Sequence, residues 1–284
     1  MARPPQLDPH ASLAAALGAT VRSLRELRDW TREELADRLY VSTTRIIQIE
    51  LATDPPNEAL AQDLDRTLEA DGEVETAWLR MNRHNHPAWA LPYLDLERRA
   101  TRVRKYAAQL VPGILQTPDY AYTLLRYADP AATEETLRRR VDARMSRRGV
   151  LEGSSPPHLW VILDETLLMR PFGDDPAIMR DQLGHLLVMS GRPHVELQVL
   201  PLESGSHGLM DGSCSLLTFP EEPPAAFLGG PGTGTLLHDA PAVAHYDVCY
   251  DHLLVKSLPA EESRDLIHTT LRERYNCPPS SNEG

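Results

Sequence analysis

Apolar positions lay out a helical first third of the chain. Leu13, Leu17, Val21, Leu24 and Leu27 recur at steps of four, four, three and three, the spacing of a helix with one buried stripe, and predict a helix over residues 12–28. Thr31 followed three residues later by Glu34 is a capping box, in which the hydroxyl accepts a backbone N–H bond and the carboxylate reaches back to the Thr31 N–H. It starts a short second helix that ends near Leu39. Tyr40 and Val41 make a turn, and Ser42 caps a third helix running to about Glu50. Pro55-Pro56 closes this run. Leu60, Leu64 and Leu68 mark a fourth helix, followed by a short segment carrying Val74, Trp78 and Met81.

Residues 82–92, with His84, His86, Pro87 and Pro92, read as a linker. Residues 93–127 are expected to be mostly helical, broken at Val111-Pro112-Gly113 because proline disfavours helix in the residue before it. Another long helix covers 133–151. The period then changes: 158–163, 194–200, 214–219, 225–228 and 235–238 are short apolar runs between Gly- and Pro-rich turns, and predict strands. A helix over 176–189, between the first two, points to a β-α-β unit. Residues 242–257 and 260–275 return to helix, and 277–284 are a polar tail. The fold class is therefore mainly α with an α+β C-terminal domain: a helical bundle over 12–81, then, over 93–276, a helical segment and a small mixed β-sheet with flanking helices. A length of 284 residues, about twice a ~150-residue domain, agrees with two domains.

Residues 32–49 carry the strongest local signal. A helix-turn-helix needs a small residue where its helices cross, an apolar residue after the turn and two apolar residues rooting the second helix; Ala36, Val41, Ile46 and Ile49 occupy those places. Such packing leaves the first turn of the second helix outward, able to enter a major groove. That turn offers Ser42, Thr43, Thr44 and Arg45, with Gln48 one turn on. Glutamine can pair with an adenine edge, arginine with a guanine edge, and threonine can bond a base or meet a thymine methyl. Arg32, at the start of the preceding helix, is placed to lie over a phosphate. Ile47 is an apolar residue on the outer side of the same helix.

The run from Thr31 to Glu50 resembles the lambda-repressor-like (XRE) helix-turn-helix family. The rest of the chain is similar to the C-terminal domain of actinobacterial regulators of the WhiJ-like or Scr antitoxin-like type, through Val111-Pro-Gly-Ile-Leu-Gln-Thr-Pro-Asp-Tyr-Ala121, Ala143-Arg-Met-Ser-Arg147, Leu163-Asp-Glu-Thr-Leu-Leu168, Gln182-Leu183 and Val199-Leu-Pro201. The combination implies a homodimeric regulator that binds operator DNA through its first domain and a ligand or a small companion protein through its second. Because the resemblance is concentrated there, Leu115, Gln116, Thr117, Tyr120, Arg144 and Arg147 are the candidate partner or ligand residues. Two positions depart from the first family. Tyr40 stands where a turn glycine is usual, and Leu51 to Asp54 replace a glycine and basic residues, removing two phosphate contacts.

Charge sharpens the picture. The chain has 29 basic and 41 acidic residues, a formal −12, so no global positive field draws it to nucleic acid or an anionic membrane. Within residues 1–90 there are 10 arginines, no lysine and 15 acids, a net of −5. DNA binding is expected to be weak, partner-assisted, or strong only in a dimer. An antitoxin-like protein-interaction module is the competing reading. The absence of a long apolar run points to a cytoplasmic chain without a membrane span. Cys214, Cys249 and Cys277 suggest reduced thiols.

Other groups are weighed against enzyme or metal chemistry. The basic clusters Arg98, Arg99, Arg102, Arg104, Lys105 and Arg138, Arg139, Arg140, Arg144, Arg147, Arg148 read first as solvated faces balanced by acids, and second as an anion surface. His245, Cys249 and His252 share a helix face but lack a fourth zinc ligand. Residues 229–234 lack the lysine and helix of a phosphate loop and read as a turn between strands. Ser204-Gly-Ser-His-Gly208 lacks the glycine spacing of a nucleophile elbow. No cofactor, metal or enzymatic activity is expected.

Overall fold

A computed structural model describes residue 8 and residues 12–56, 58–83, 87, 89–153 and 155–275. The expected tail at 277–284, Cys277, and the linker histidines His84 and His86 lie outside the described residues. The chain divides into two compact units, Met1–Ala88 and Trp89–Gly284.

The first unit is a bundle of five helices: α1 (Leu13–Leu27), α2 (Arg32–Leu39), α3 (Thr43–Glu50), α4 (Glu58–Thr67) and α5 (Glu73–Arg83). Ser12 caps α1 by accepting from the Ala15 N–H at 3.0 Å. The Thr31/Glu34 capping box on α2 is complete, and the Ser42 hydroxyl caps α3 from the Arg45 N–H at 3.2 Å. Leu17, Val21, Leu35, Ala36, Ile46, Ile49, Leu64, Leu68, Val74 and Trp78 form one core. Gly18 sits where α1 crosses the end of α3. A Cβ there would lie 2.5 Å from the Ile49 carbonyl oxygen, so only glycine permits this approach. The apolar stripe of α1 departs from expectation at its end: Leu27 is 79% exposed, whereas Arg25 is buried.

Helices α1 to α4 end in the same way without a glycine. Asp29, Tyr40, Ala52 and Glu69 all adopt positive φ. After α2, the Val41 N–H donates to the Ala36 carbonyl at 3.0 Å and the Tyr40 N–H to the Asp37 carbonyl at 3.3 Å, the paired bonds of a Schellman motif. The same two-bond pattern closes α1 through Trp30 and Asp29, α3 through Thr53 and Ala52, and α4 through Ala70 and Glu69. Each left-handed non-glycine residue costs about 1 kcal/mol.

The second unit is built on a six-stranded sheet of order β3-β2-β1-β4-β5-β6. Its strands are β1 (Arg102–Ala107), β2 (His158–Asp164), β3 (Val195–Leu200), β4 (Ser213–Thr218), β5 (Ala225–Gly230) and β6 (Thr233–Leu237). β1, β2 and β3 are parallel, and β4 to β6 continue from β1 as an antiparallel meander. The helices are α6 (Leu91–Arg99), α7 (Pro118–Ala128), α8 (Glu134–Ser146), α9 (Glu165–Met169), α10 (Pro176–Met189), α11 (Ala240–Lys256) and α12 (Ala260–Thr270). Because side chains alternate across a strand, Leu159, Val161 and Leu163 of β2 enter a core with α6, α7, α9, α10 and α12. Ile162 turns to the opposite core, with Tyr250 and Leu253 of α11. The expected β-α-β unit is present as β2, α10 and β3, and residues 229–234 form the tip of the β5–β6 hairpin, with Pro231 and Gly232 in its turn. No helix among the described residues is long and apolar enough to cross a membrane.

Two expectations need correction. Residues 93–127 are not mostly helical, since β1 lies within them at the centre of the sheet. Three of its six residues, Arg102, Arg104 and Lys105, are cationic, which hides it from a hydrophobicity reading. Tertiary partners make it tenable: Arg104 pairs with Asp247 and Asp251 of α11, and Lys105 with Glu97 of α6. The expected linker is also too long at its end, because α6 already starts at Leu91.

Candidate nucleic-acid interface

Helices α2 and α3 form the expected pair. Ala36 and Ile46 are buried at the crossing, with Leu35 and Ile49 beside them, so the packing roots α3 from one face and leaves the other outward. Ser42 and Thr44 are exposed, Thr43, Ile47 and Gln48 half-buried, and Tyr40 is 97% exposed in the turn. The turn accommodates tyrosine by holding it left-handed at φ 54°, ψ 39°, with its ring in solvent.

The arginines are not free. Arg45 folds back on the loop after α3, donating to the Asp54 carboxylate and, at 3.0 and 2.9 Å, to the Asp54 and Pro55 carbonyls. Asp54, in the segment after Glu50, therefore latches the main base-reading candidate. Arg32 donates Nε to Glu50 at 2.7 Å, so the expected phosphate contact has only its terminal nitrogens available. Glu50 is fully buried and also takes Arg25 at 2.6 Å and Arg22 at 3.5 Å. Burial alone would favour the neutral acid, yet the hydrogen bonds and charges of Arg25 and Arg32 outweigh it and hold the carboxyl below its usual range. This hub ties α1, α2 and α3 together. Sequence reasoning missed it, although Glu50 falls four residues after Ile46 and Arg25 four after Val21, both on buried stripes where a charge demands a partner.

In the second unit the six candidate residues do come together, around the turn Gly113–Leu115. They do not form an exposed surface. Leu115, Gln116 and Tyr120 are 0%, 2% and 1% exposed, which corrects the expectation of a partner-facing patch at those three. Gln116 donates to the Val111 carbonyl at 2.7 Å and accepts from Arg144 at 3.1 Å. The Thr117 N–H donates to Gln182, whose amide donates to the Leu115 carbonyl, each at 2.8 Å. Thr117 also caps α7, and the Tyr120 ring stacks on Phe172. Arg147 donates to Glu97 at 2.7 and 3.2 Å. It passes so close to Gly113 that a Cβ there would lie 2.7 Å from its guanidinium.

Glu97, 2% exposed, is a second buried hub. Tyr93 donates to its carboxylate, Lys105 donates to both Tyr93 and Glu97, and Arg147 completes the set. Burial opposes ionisation, but the charges of Arg147 and Lys105 prevail, with hydrogen bonds from Tyr93 and Arg147, and hold the carboxyl at about 2. Burial shifts Lys105 down despite Glu97.

The remaining basic residues divide. Arg99 pairs with Glu222, Arg138 with Glu134, Arg139 with Glu135 and Arg140 with Asp129, as a balanced surface requires. On α11, Cys249 Sγ lies 3.7 Å from His245 Nε2. Among the described residues no three His, Cys, Asp or Glu side chains are placed to hold a metal ion. Asp164 caps α9 and accepts from Tyr106, and Asp175 caps α10.

Comparison with known families agrees with this division. Residues 16–79 match a helix-turn-helix domain, which makes the first unit that of a DNA-binding regulator. No curated protein and no solved structure matches the chain. Residues 91–269, spanning the sheet and its flanking helices, match the domain of unknown function DUF5753. That match covers more than half of the sequence, and the chain belongs to the DUF5753 family, joined here to a helix-turn-helix domain.

Proposed function

We propose that this protein is a sequence-specific transcriptional regulator of the XRE type, binding a two-fold related operator as a homodimer, and that its second unit responds to a ligand or to a small companion protein. The observation that carries the reading is the outward first turn of α3, polar at Ser42, Thr43 and Thr44 and continued by Gln48, on a pair of helices locked by one core. Thr43, Thr44 and Gln48 are the base-facing residues, and Arg45 joins them once it leaves Asp54. Arg32 approaches a phosphate with its terminal nitrogens. The likeness of the second unit to WhiJ-like and Scr antitoxin-like regulators supports a responsive role for it.

The test is a gel-shift and genome-wide binding assay on the full chain at low and moderate salt. A single preferred sequence that shows two-fold symmetry is the expected result; equal binding to all sequences sinks the reading.

A second reading, an antitoxin-like interaction module with a secondary DNA role, is favoured by one observation. Arg22, Arg25, Arg32 and Arg45 all face acids of their own unit. Arg45→Ala separates the two, because a regulator loses operator discrimination and an interaction module keeps its cellular effect.

A further inference from the structure

The turn at Gly113–Leu115 is ringed by cations that nearby acids do not balance. Arg144 donates to the Gln116 side chain at 3.1 Å, and Arg148 donates to the Gln116 carbonyl. Arg144 thus meets an amide oxygen rather than a carboxylate, and burial, followed by the charge of Arg147, pulls it down to about 10. Arg192 lies against the segment that follows Arg148, 3.4 Å from the Leu151 carbonyl and 3.9 Å from Glu152. His185 stands one turn past Gln182, the residue that clamps Leu115 and Thr117, and its charged neighbours are Arg148 and Arg192. Of the acids nearby, Glu97 is already engaged by Arg147 and Lys105, and Glu152, 60% exposed, is the single acid acting on both Arg148 and Arg192.

Two buried polar atoms here have no hydrogen-bond partner among the described residues, Arg148 Nε and His185 Nε2. An unpartnered buried donor costs about 1–3 kcal/mol, and clustered cations repel one another. A multi-oxygen anion relieves both. Guanidinium forks suit phosphate and carboxylate oxygens, and a neutral imidazole can donate a further bond. Arg148, His185 and Arg192 are each half-buried as residues, while the two unpartnered atoms themselves face away from solvent, so an ion reaches them through a shift of these side chains.

We propose that Arg144, Arg148, Arg192 and His185 form a binding site for a small anion carrying a phosphate or carboxylate group. The site gives the responsive second unit of the proposed regulator its ligand chemistry. It rests on that reading only for its purpose. Binding of the anion needs no DNA, so the two can fail separately.

The test uses histidine-ring NMR of the full chain, with the His185 signal identified by its loss in His185→Gln. Burial and the charges of Arg148 and Arg192 hold His185 at about 4. Sodium phosphate and sodium succinate are titrated separately, with sodium chloride at matched ionic strength as control. A saturable rise of about one unit or more in the His185 midpoint with either probe supports the site, and the effective probe identifies the anion class. Arg148→Gln and Arg192→Gln each weaken that response about tenfold. Should either variant fail to fold, Arg148→Lys, which keeps the charge without the fork, is expected to bind with reduced affinity. An equal response to chloride, no response to either probe at millimolar concentration, or an unchanged response in the variants overturns the proposal.

Discussion

Among the described residues each unit buries one carboxylate among cations, and the surroundings of the two differ. Glu50 has Arg22, Arg25 and Arg32 around it, with side chains 17%, 9% and 27% exposed. Glu97 has Lys105 and Arg147 at 9% and 14%, inside a core that also holds Tyr93. Arg25 is as buried as Lys105, but it also bonds Glu26 and the Trp30 carbonyl, and Arg32 reaches solvent, so the first hub keeps partners for its cations when the acid is lost, whereas Lys105 and Arg147 both depend on Glu97. Backbone strain divides the units in the opposite sense. The first carries positive φ at Asp29, Tyr40, Ala52, Glu69 and Asp71, whereas every such residue described in the second, Gly173, Gly205 and Gly232, is glycine. The bundle therefore holds strained caps around a forgiving hub, and the sheet unit holds relaxed turns around an unforgiving one.

The largest expected effect tests the hubs. Glu97→Gln leaves two buried cations without a counterion and should destabilise the second unit by about 3–5 kcal/mol, the cost of breaking a buried pair. Glu50→Gln should cost the first unit clearly less. Urea unfolding followed separately in the two units checks the order, and equal losses would erase the distinction.

Acid titration sharpens it. Glu97 titrates at about 2 in the folded protein against an ordinary 4.5. A lowered carboxyl contributes stability that is fully present above its unfolded value and is lost as pH falls through the folded one. The second unit should weaken between about pH 4.5 and pH 2, and Glu97→Gln should flatten that part of its stability curve. Glu50 is shifted in the same direction, so Glu50→Gln should flatten the acid limb of the first unit.

Smaller effects belong to the interface. Arg45→Ala should cost about 1–3 kcal/mol of discrimination between the preferred operator and one altered at a single base pair. Asp54→Asn, which removes the latch charge, should tighten binding and sharpen discrimination at the base pair that Arg45 reads. Unchanged affinity and discrimination would mean that Arg45 stays on the loop when DNA binds. The smallest effect is Tyr40→Gly. The ring is 97% exposed, so relief of left-handed strain should dominate and stabilise the first unit by about 1 kcal/mol, leaving the second unit's unfolding unchanged.

Local chemistry determined much of this protein by itself. The Thr31/Glu34 capping box, the Ser42 cap and the Ala36, Ile46 and Ile49 positions specify α2, α3 and their crossing, because each acts within a few residues of chain. Short apolar runs between turns likewise announced β2 to β6, and the helix between β2 and β3 announced their parallel pairing. Strand β1 was invisible, since its cations become tenable only against Glu97, Asp247 and Asp251, brought in from α6 and α11. The same holds at the sites. Their residue types were legible, but the latch of Arg45 on Asp54, the seating of Arg32 on Glu50 and the burial of Leu115, Gln116 and Tyr120 were not. A charged side chain takes its partner from whichever element packs against it, and periodicity along one segment carries no information about that choice.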